Sequence, residues 1–221
     1  RVLGRIPAGK PLRKTVARYK EIFIINTKLD RRRLSAEMEN LKHDIKTVLI
    51  TREQIAKRVR EMGQQITKDY AGKEIVLVGI LKGAMPFLCD LMREIDLPVI
   101  LDTMVVSSYG DATTSSGLVK IKKDLDSNIR GRHVIVVEDI IDTGITMAAL
   151  TPILEKRGAA SVELAIFLDK RERREKEVNV KYIGYEIPDK FIVGYGCDYA
   201  QKYRNLPEIC ELDNKVFAQA K

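Results

Sequence analysis

One stretch of the chain joins an apolar strand, a set of carboxylates and the start of a helix. It reads Val136-Val137-Glu138-Asp139-Ile140-Ile141-Asp142-Thr143-Gly144-Ile145-Thr146. The apolar residues 133–137 predict a buried strand, which ends in the adjacent acids Glu138 and Asp139. Asp142 follows in a short turn, and the residues from Thr143 onward predict a helix. A strand, a turn and a helix in this order are typical of a parallel α/β fold.

The turn in this stretch has the features of a phosphate site. Backbone N–H groups at a helix N-terminus, the hydroxyls of Thr143 and Thr146, and a glycine that permits close approach can together cradle a phosphate. Carboxylates beside such a cradle would repel an anion unless they face hydroxyl groups or a bound cation. A ribose phosphate with Mg²⁺ meets both conditions. The alternative is a strand end with solvated acids and an ordinary N-cap.

The rest of the chain repeats the alternation of strands and helices. Further strands are predicted at 75–81, 99–106 and 161–168 and near 180–186 and 191–195, and helices at 51–70, 84–95 and 147–157. We therefore predict an α/β protein with a Rossmann-like parallel sheet that has helices on both faces. Ligands in such sheets bind at the carboxyl ends of the strands, which here follow Leu81, Val106, Val137 and Leu168.

The composition is that of an ordinary globular protein. The chain has 221 residues, of which 45% are hydrophobic and 32% charged, so one domain, or one domain with a tail, is expected. Three cysteines lie far apart and only two histidines are present. This pattern argues against a zinc site or a disulfide framework and favours a reducing cytoplasm. No apolar run reaches about 18 residues, the length of a membrane span.

The positive charge is concentrated at one end of the chain. The net charge is +8, and residues 1–42, with 12 basic and 4 acidic residues, account for all of it. Residues 43–221 hold 27 of each sign, so the body offers no basic surface for nucleic acid. We predict a basic N-terminal extension at 1–42 and a single folded domain at 43–221. The composition leaves open whether the extension is disordered, vector-derived, a precursor remnant or a functional arm.

Several further segments resemble a known enzyme family. They are Gly79-Ile80-Leu81-Lys82-Gly83, Val105-Val106-Ser107-Ser108-Tyr109-Gly110, Leu168-Asp169-Lys170-Arg171-Glu172-Arg173-Arg174, Glu186-Ile187-Pro188-Asp189-Lys190-Phe191-Ile192-Val193-Gly194-Tyr195-Gly196-Cys197-Asp198-Tyr199 and Tyr203-Arg204-Asn205-Leu206-Pro207. The stretch 136–146 is similar to the phosphoribosyl-diphosphate signature of type I phosphoribosyltransferases. The other segments narrow the resemblance to the hypoxanthine (hypoxanthine-guanine) phosphoribosyltransferases of bacterial type. The resemblance extends over 44–212 and implies the type I phosphoribosyltransferase fold, with a small hood at 180–212 over the active site.

The resemblance implies a diphosphate site built from strand ends and the hood. Its residues would be Lys82, Gly83, Ser108, Tyr109 and Arg204. A non-proline cis peptide between Leu81 and Lys82 would turn N–H groups toward the diphosphate. The polar loop 107–117 would be a mobile lid that keeps water away from the reactive ribosyl centre.

The resemblance also assigns the stretch 136–146 to the ribose 5-phosphate and the reacting centre. Glu138 and Asp139 would lie under the ribose hydroxyls and, with Asp198, would bind Mg²⁺. Asp142 would be the catalytic acid/base beside the purine N7, whereas its alternative role is only to cap the following helix. The ribose 5-phosphate would contact Glu138, Asp139, Asp142, Thr143, Gly144, Ile145 and Thr146.

Four residues are implied to bind the purine. Lys170 would donate a hydrogen bond to the 6-oxo group, and Phe191 would stack on the ring. The backbone around Ile192 would meet the opposite edge of the base, beside Asp198. An amino group at the 6-position, as in adenine, could not accept the hydrogen bond from Lys170.

Two neighbouring features are interpreted as lying outside the site. Asp189 follows Pro188 at a predicted turn, so no role in the site is expected for it. The charged residues 171–174 are expected to be solvated. One residue within the hood departs from the family pattern, since Cys197 stands where a larger aliphatic residue is expected.

The resemblance implies an enzyme of purine salvage. It would transfer 5-phosphoribosyl from 5-phospho-α-D-ribose 1-diphosphate to N9 of hypoxanthine or guanine, with Mg²⁺ as cofactor. A cytoplasmic homodimer or homotetramer is expected, without nucleic-acid or membrane partners. The alternatives are a xanthine-preferring enzyme and a nucleotide-sensing regulator on the same fold. The presence of Lys82, Asp142 and Arg204 argues against the regulator, because regulators can lose such residues.

Overall fold

The structure, a computed structural model, describes residues 43–108 and 119–218 together with Glu39 and Leu41. Apart from those two residues, the predicted extension 1–42 lies outside the described residues, and so does the greater part of the predicted lid at 107–117. The contacts of the chain separate two units, Arg1–Ile45 and Lys46–Lys221. Every site residue predicted from the sequence belongs to the second unit.

The described residues alternate between strands and helices along the chain. In order, the elements are β1 Ile45–Ile50, α1 Arg52–Asp69, β2 Ile75–Ile80, α2 Met85–Arg93, β3 Val99–Ser108, β4 Val119–Lys123, β5 His133–Ile141, α3 Ile145–Lys156, β6 Ser161–Asp169, a 3₁₀ turn Arg171–Arg173, β7 Tyr182–Glu186, β8 Ile192–Val193, β9 Ile209–Leu212 and α4 Asn214–Ala218.

The central sheet has six strands in the order β4-β3-β2-β5-β6-β7. The strands from β3 to β7 in this order pair in parallel, which confirms the predicted fold class. β4 pairs antiparallel with β3 at one edge and was not predicted. Its sequence, Val-Lys-Ile-Lys-Lys, alternates partly buried with exposed side chains, as suits an edge strand whose lysines discourage further pairing.

Two hydrophobic layers cover the faces of this sheet. Ile75 and Leu77 of β2 pack into the layer that includes residues of α1 and α2. Val76 and Val78 pack into the opposite layer, which includes residues of α3. Burial on both faces explains why β2 is a continuous apolar run, as expected of a central parallel strand. Each such buried side chain stabilises the fold by about 1.5–3 kcal/mol.

α1 is the longest helix among the described residues. Thr51 caps it as predicted: its side chain accepts a hydrogen bond from the N–H of Gln54, whose own side chain accepts one from the N–H of Thr51. Ile55, Val59 and Met62 form part of its buried face. No helix in the described part of the chain combines the length and the apolar character of a membrane span.

β5 extends further than the sequence predicted, to Ile141. It pairs with β2 only as far as Val137, but with β6 through to Ile141. Glu138 and Asp139 therefore lie within a strand, at the level where β2 has ended, rather than after the strand. Beyond Val137, β5 is therefore paired only with β6 at the carboxyl edge of the sheet.

A smaller three-stranded sheet, in the order β1-β9-β8, contains two strands from the predicted hood at 180–212. The prediction was wrong for β7, which lies in that range but belongs to the central sheet, and β1 joins the small sheet from the start of the domain. Ile192 pairs with Glu211 and Val193 with Cys210 in antiparallel register. β8 has two residues, so it is shorter than the strand predicted near 191–195. β1 and β9 were not predicted from the sequence.

Candidate active site

A cavity of about 360 Å³ opens at the carboxyl edge of the central sheet, beside the small sheet. It contains all four residues predicted to bind the purine, as well as the predicted acid/base and one acid predicted to meet the ribose. The lining consists of Asp139, Ile140, Asp142, Lys170, Arg173, Asp189, Lys190, Phe191, Ile192, Cys197 and Asp198.

Asp139 is held in a narrow, buried position. A Cβ atom on Gly83 would overlap with Oδ2 of Asp139, so only glycine fits where the loop after β2 crosses this carboxylate. Cys197 donates a hydrogen bond from Sγ to the same Oδ2 at 3.5 Å. Burial raises the pKa of the Cys197 thiol, and the charge of Asp139 raises it further, so the sulfur keeps its proton and acts as the donor.

Glu138 presents an oxygen without a partner. Its Oε2 atom is buried and makes no hydrogen bond to the described residues. Burial and the neighbouring charge of Asp139 raise the pKa of Glu138 well above its usual range. Buried polar atoms normally find partners, so this oxygen is suited to a ligand hydroxyl or a cation.

The residues of the predicted phosphate cradle lie in the turn at 142–146 and at the start of α3. Gly144 precedes the helix with φ +79°, a left-handed conformation that favours glycine. The N–H of Ile145 donates to Oγ1 of Thr143 at 3.4 Å. Because α3 has 12 residues, its first N–H groups and its dipole favour an anion at this end.

The segment that follows β6 braces this turn from behind. The N–H groups of Glu175 and Lys176 both donate to the carbonyl oxygen of Thr143, at 2.9 and 3.0 Å. A Cβ atom on Gly144 would overlap with the carbonyl oxygen of Lys176 and lie 2.8 Å from Cδ of Arg174. The cradle is therefore packed against the segment that also supplies Lys170.

Two of the predicted diphosphate residues lie against residues of the cavity lining: Gly83 against Asp139, and Arg204 against Asp198. The peptide between Leu81 and Lys82 is cis, as the resemblance implied. Lys82 Nζ donates to Oε1 of Gln201 at 3.1 Å, which joins the loop after β2 to the loop that carries Arg204. Ser108 is the last residue of β3, and Tyr109 lies outside the described residues.

Arg204 closes the loop that runs from 194 to 204. Its Nη1 atom donates to the carbonyl oxygen of Gly196 at 2.7 Å, and Nη2 lies 2.5 Å from Oδ1 of Asp198. Four residues of this loop other than glycine have positive φ: Tyr195, Ala200, Gln201 and Tyr203. Each such conformation costs about 1–3 kcal/mol and is often found at functional sites.

Lys170 and Phe191 occupy opposite kinds of environment. Lys170 is 7% exposed, whereas Phe191 is 41% exposed and is not a core residue. The Phe191 ring packs edge-on against Tyr199, with centroids 5.3 Å apart, and against Phe217 of α4 at the same distance. This aromatic cluster leaves Phe191 on the lining of the cavity, where a flat base can stack.

The sequence analysis assigned no site role to five residues of the lining, which are Ile140, Arg173, Asp189, Lys190 and Cys197. Two of these, Arg173 and Asp189, are charged residues that pair with predicted site residues. Asp189 Oδ1 lies 3.5 Å from Lys170 Nζ and 3.8 Å from Arg173 Nη1. Arg173 Nε lies 3.2 Å from Oδ1 of Asp142. The expectation that Asp189 lies outside the site is wrong, because the connection between β7 and β8 turns its side chain toward Lys170.

The expectation of a solvated run at 171–174 is wrong for Arg174. Its side chain is only 10% exposed and pairs with Asp169, which is also buried. Arg171 remains 65% exposed and contacts Glu186 at 3.2 Å. The alternation arises because the 3₁₀ turn directs neighbouring side chains to different sides.

The three predicted metal ligands do not form one group. Among the described residues, no set of three His, Cys, Asp or Glu side chains is arranged to hold a metal ion. Glu138 and Asp139 are adjacent on β5, whereas Asp198 is engaged by Arg204 and by the N–H of Gln201. Magnesium sites commonly use one or two carboxylates and complete their shell with substrate oxygens and water, and the unpartnered Glu138 Oε2 fits such a site.

The sheet with its carboxyl-edge cradle defines a class of protein. A family model of the phosphoribosyl transferase domain matches residues 49–200. This range contains the whole central sheet and the carboxylates of β5.

Individual relatives narrow the class. The hypoxanthine-guanine phosphoribosyltransferase of Streptococcus thermophilus is 50% identical over 177 residues, which are 80% of this chain and 98% of that protein. The enzyme of the same name from Bacillus subtilis is 46% identical, with the same two shares. A crystal structure of a hypoxanthine phosphoribosyltransferase from Staphylococcus aureus matches with a TM-score of 0.78 at 46% identity, over 80% of this chain and 96% of that one. The chain therefore belongs to the hypoxanthine-guanine phosphoribosyltransferases and is an enzyme.

Proposed function

We propose that the protein is a purine salvage enzyme that transfers 5-phosphoribosyl from 5-phospho-α-D-ribose 1-diphosphate to N9 of hypoxanthine or guanine. The products are IMP or GMP and pyrophosphate. One observation carries the proposal: Asp142 joins the phosphate cradle to the cavity lined by Lys170 and Phe191. An acid/base group thus stands between a phosphate site and a site for a flat base with an oxo group. The names of the relatives at 46–50% identity support the same reaction.

The reaction exchanges one bond at C1′ of the ribose for another. The bond from C1′ to the diphosphate oxygen breaks, the diphosphate leaves with the electron pair, and the bond from C1′ to N9 forms. Positive charge builds on the ribose ring as the diphosphate departs. In this proposal Glu138 and Asp139, both on β5, bind the ribose hydroxyls and offer electrostatic stabilisation.

The purine residues orient the base for this exchange. Asp142 accepts the proton from N7 as N9 forms its bond. Lys170 donates to the 6-oxo group and Phe191 stacks on the ring, while the backbone of Ile192 and Asp198 meets the opposite edge. Because Lys170 is buried, a base with an amino group at this position would leave the ammonium donor that faces the base without an acceptor.

Lys82, Gly83, Ser108, Tyr109 and Arg204 bind the diphosphate in this proposal. Mg²⁺ would be held by Glu138 and Asp139, and by Asp198 once its pairing with Arg204 opens. When bound, the ion offsets the charge of the diphosphate. The site binds the whole substrate through positioning and electrostatics, with no covalent intermediate.

A product assay tests the proposal. The purified protein is incubated with Mg²⁺, phosphoribosyl diphosphate and, in turn, hypoxanthine, guanine, xanthine and adenine, and the nucleotides are separated and weighed by mass spectrometry. We expect IMP and GMP, with adenine used at least about 100-fold less well. Fastest turnover of xanthine would support the xanthine-preferring enzyme instead, and no nucleotide from any base would refute the proposal. A parallel assay with a chelator, followed by added Mg²⁺, tests the cofactor.

We also propose that the enzyme works in the cytoplasm as a homodimer or homotetramer. The three cysteines are free thiols, which suits a reducing compartment. The assembly is inferred from the resemblance to the family. Light scattering on the eluting peak of a gel-filtration column measures the mass of the assembly directly, and a mass near 25.1 kDa would contradict both oligomers.

A further inference from the structure

Four charged side chains of alternating sign line one side of the purine cavity. Lys170 Nζ lies 3.5 Å from Asp189 Oδ1, and Arg173 Nη1 lies 3.8 Å from the same oxygen. The guanidinium of Arg173 continues to Asp142, with Nε 3.2 Å from Oδ1. The row of charges therefore extends from Lys170, which is proposed to bind the 6-oxo group of the base, to Asp142, which is proposed to accept its proton.

We propose that Asp189 and Arg173 are positioning residues that hold Lys170 and Asp142 in register with a single purine. Asp189 sets the direction of the Lys170 ammonium toward the 6-oxo group. Arg173 holds the carboxylate of Asp142 and ties it to Asp189. This inference rests on the proposed function, in which Lys170 and Asp142 touch opposite parts of the base.

The burial of Lys170 makes such a partner necessary. The four-carbon stem of a lysine side chain is flexible, so the position of its ammonium group is poorly defined unless a partner binds it. Asp189 is the acid within ion-pair distance of Lys170 among the described residues. One carboxylate oxygen leaves donors of the ammonium free for a base, so the contact orients Lys170 without saturating it.

Arg173 can hold Asp142 without blocking its chemistry. Asp142 Oδ1 is buried and accepts no hydrogen bond from the described residues, although the guanidinium lies 3.2 Å away. The pairing is thus electrostatic and holds Oδ1 on the buried side, whereas the Asp142 side chain as a whole is 40% exposed, which leaves the other carboxylate oxygen to meet a proton on the purine. The planar fork of arginine allows Nε and Nη1 to serve two different acids, which a lysine could not do with the same geometry.

Asp189 is well placed for a functional test because it contributes little to the fold. Its side chain is 46% exposed, and ion pairs at that exposure have small effects on stability. Its backbone N–H donates to Oε2 of Glu172 at 3.3 Å, a contact that a side-chain change leaves in place. Substitutions at Asp189 should therefore fold normally, and changes in kinetics can be assigned to the site.

The first test measures Asp189→Asn with hypoxanthine and with phosphoribosyl diphosphate as the varied substrate. We expect KM for hypoxanthine to rise at least about fivefold, with KM for phosphoribosyl diphosphate changed less than about twofold. Asp189→Glu should restore part of the loss, and Tm should stay within about 2 °C of the parent protein. The matched control is Asp126→Asn, whose side chain is 83% exposed and lies away from the cavity.

The second test measures Arg173→Ala and Arg173→Lys, with Arg171→Ala as the control in the same turn. We expect kcat to fall at least about fivefold in Arg173→Ala and less in Arg173→Lys, because the lysine keeps the charge but not the fork. In the double variant Asp189→Asn/Arg173→Ala, kcat/KM for hypoxanthine should fall by less than the product of the fold losses in the two single variants, because the two residues share one contact.

The outcomes separate the two proposals. If the parent protein forms no IMP, the proposed function fails before any variant is considered. If the parent forms IMP, the positioning role is overturned by either of two results. One is a KM for hypoxanthine in Asp189→Asn equal to that of the parent. The other is a loss of kcat/KM in the double variant equal to the product of the losses in the two single variants. If Arg173→Ala unfolds, two other measurements decide: kcat of Arg173→Lys and the equilibrium affinity of Asp189→Asn for hypoxanthine. The inference is overturned if kcat and the affinity both equal those of the parent protein. It is supported if the affinity is weaker and kcat is lower.

Discussion

The absence of a side chain at Gly83 allows the carboxylate of Asp139 to lie close to the loop after β2. The carboxylate of Asp139 occupies the space in which a Cβ atom of residue 83 would stand. Cys197 closes the other side with its Sγ donor. Asp139 is therefore fixed between two backbone segments, and a change at either side moves it.

Gly83→Ala tests this packing. The added methyl group must displace Asp139 or the loop, so we expect kcat/KM with hypoxanthine to fall at least tenfold, which is about 1.4 kcal/mol. Gly131→Ala is the control: residue 131 has φ +72° and nothing within 4 Å of its Cβ position, so it adds only backbone strain of about 1 kcal/mol. Unchanged kinetics in Gly83→Ala would show that Asp139 can move without loss.

Lys170→Ala tests the proposed hydrogen bond from Lys170 to the 6-oxo group of the base. Hydrogen bonds to charged groups are worth about 1.5–3 kcal/mol, so kcat/KM for hypoxanthine and for guanine should each fall by about 10- to 100-fold. Affinity for phosphoribosyl diphosphate, measured by titration, should change much less. Lys156→Ala, an exposed lysine at the end of α3, serves as control. An alanine variant with its full rate on hypoxanthine would remove Lys170 from the site.

The residues of the site differ in how far the sequence could predict them. Lys170, Asp142 and Phe191 stand inside motifs, and the structure places all three on one cavity. Arg173 and Asp189 could not be identified in this way. Their contacts join positions that are 16 to 31 residues apart in the chain, and only the folded turn after β6 shows which charged residue points inward.

At the scale of elements, Asp102 links β3 to the connection between β4 and β5. It is a buried acid in β3. Its Oδ2 accepts hydrogen bonds from the N–H groups of Asp126 and Ser127, at 3.0 and 2.8 Å, and Oδ1 accepts one from Thr103 at 2.7 Å. The connection between β4 and β5 is thereby tied to the first half of β3.

The pH dependence of stability should reveal this link. Burial by itself would raise the pKa of Asp102, but hydrogen bonds from Ser127 and Thr103 and the charge of Lys123 outweigh it, so the pKa is lowered from 3.8. A lowered carboxyl pKa stabilises the fold above the ordinary value and loses this effect as pH falls through the lowered value. Asp102→Asn should therefore cost about 1.5–3 kcal/mol at pH 7.

Urea denaturation of Asp102→Asn and the parent protein at pH 7 and near pH 3 provides the measurement. The difference in the free energy of unfolding should narrow at the lower pH. The exposed Asp126→Asn should change stability by less than about 0.5 kcal/mol at either pH. A difference for Asp102→Asn that widens on acidification would have the wrong sign for this account.

Elements buried on both faces could be predicted well, and the edges could not. β2 and the first part of β5 are continuous apolar runs, which only a central strand requires. β4, β1 and β9 are short, and they mix charged with apolar residues. Their pairing depends on partners distant in sequence, so the local pattern does not distinguish them from loops.

The whole molecule separates a neutral catalytic body from a basic extension. The predicted site residues span Lys82 to Arg204, and the Streptococcus thermophilus relative, 98% of which is matched, covers 80% of this chain. The α/β class followed from the alternation of strands and helices over this span, and the hood was implied by the family resemblance. The role of residues 1–42 did not, since composition alone does not define a contact.

Removal of residues 1–42 tests this division. We expect kcat/KM and Tm to stay close to those of the full chain, because no predicted site residue is removed and residues 43–221 have balanced charges. Initial rates with hypoxanthine and thermal melts of both proteins provide the comparison. A tenfold loss of kcat/KM, about 1.4 kcal/mol, would make the extension part of the enzyme.

The brace behind the phosphate turn offers a way to observe occupancy from outside the site. The amides of Glu175 and Lys176 are bonded to the carbonyl of Thr143, so their hydrogen–deuterium exchange depends on how often that turn opens. A phosphate bound at the start of α3 would hold the turn closed and slow exchange at both amides, although neither touches the ligand. Purine alone should leave them nearly unchanged, which would make these two amides reporters of the order in which substrates arrive.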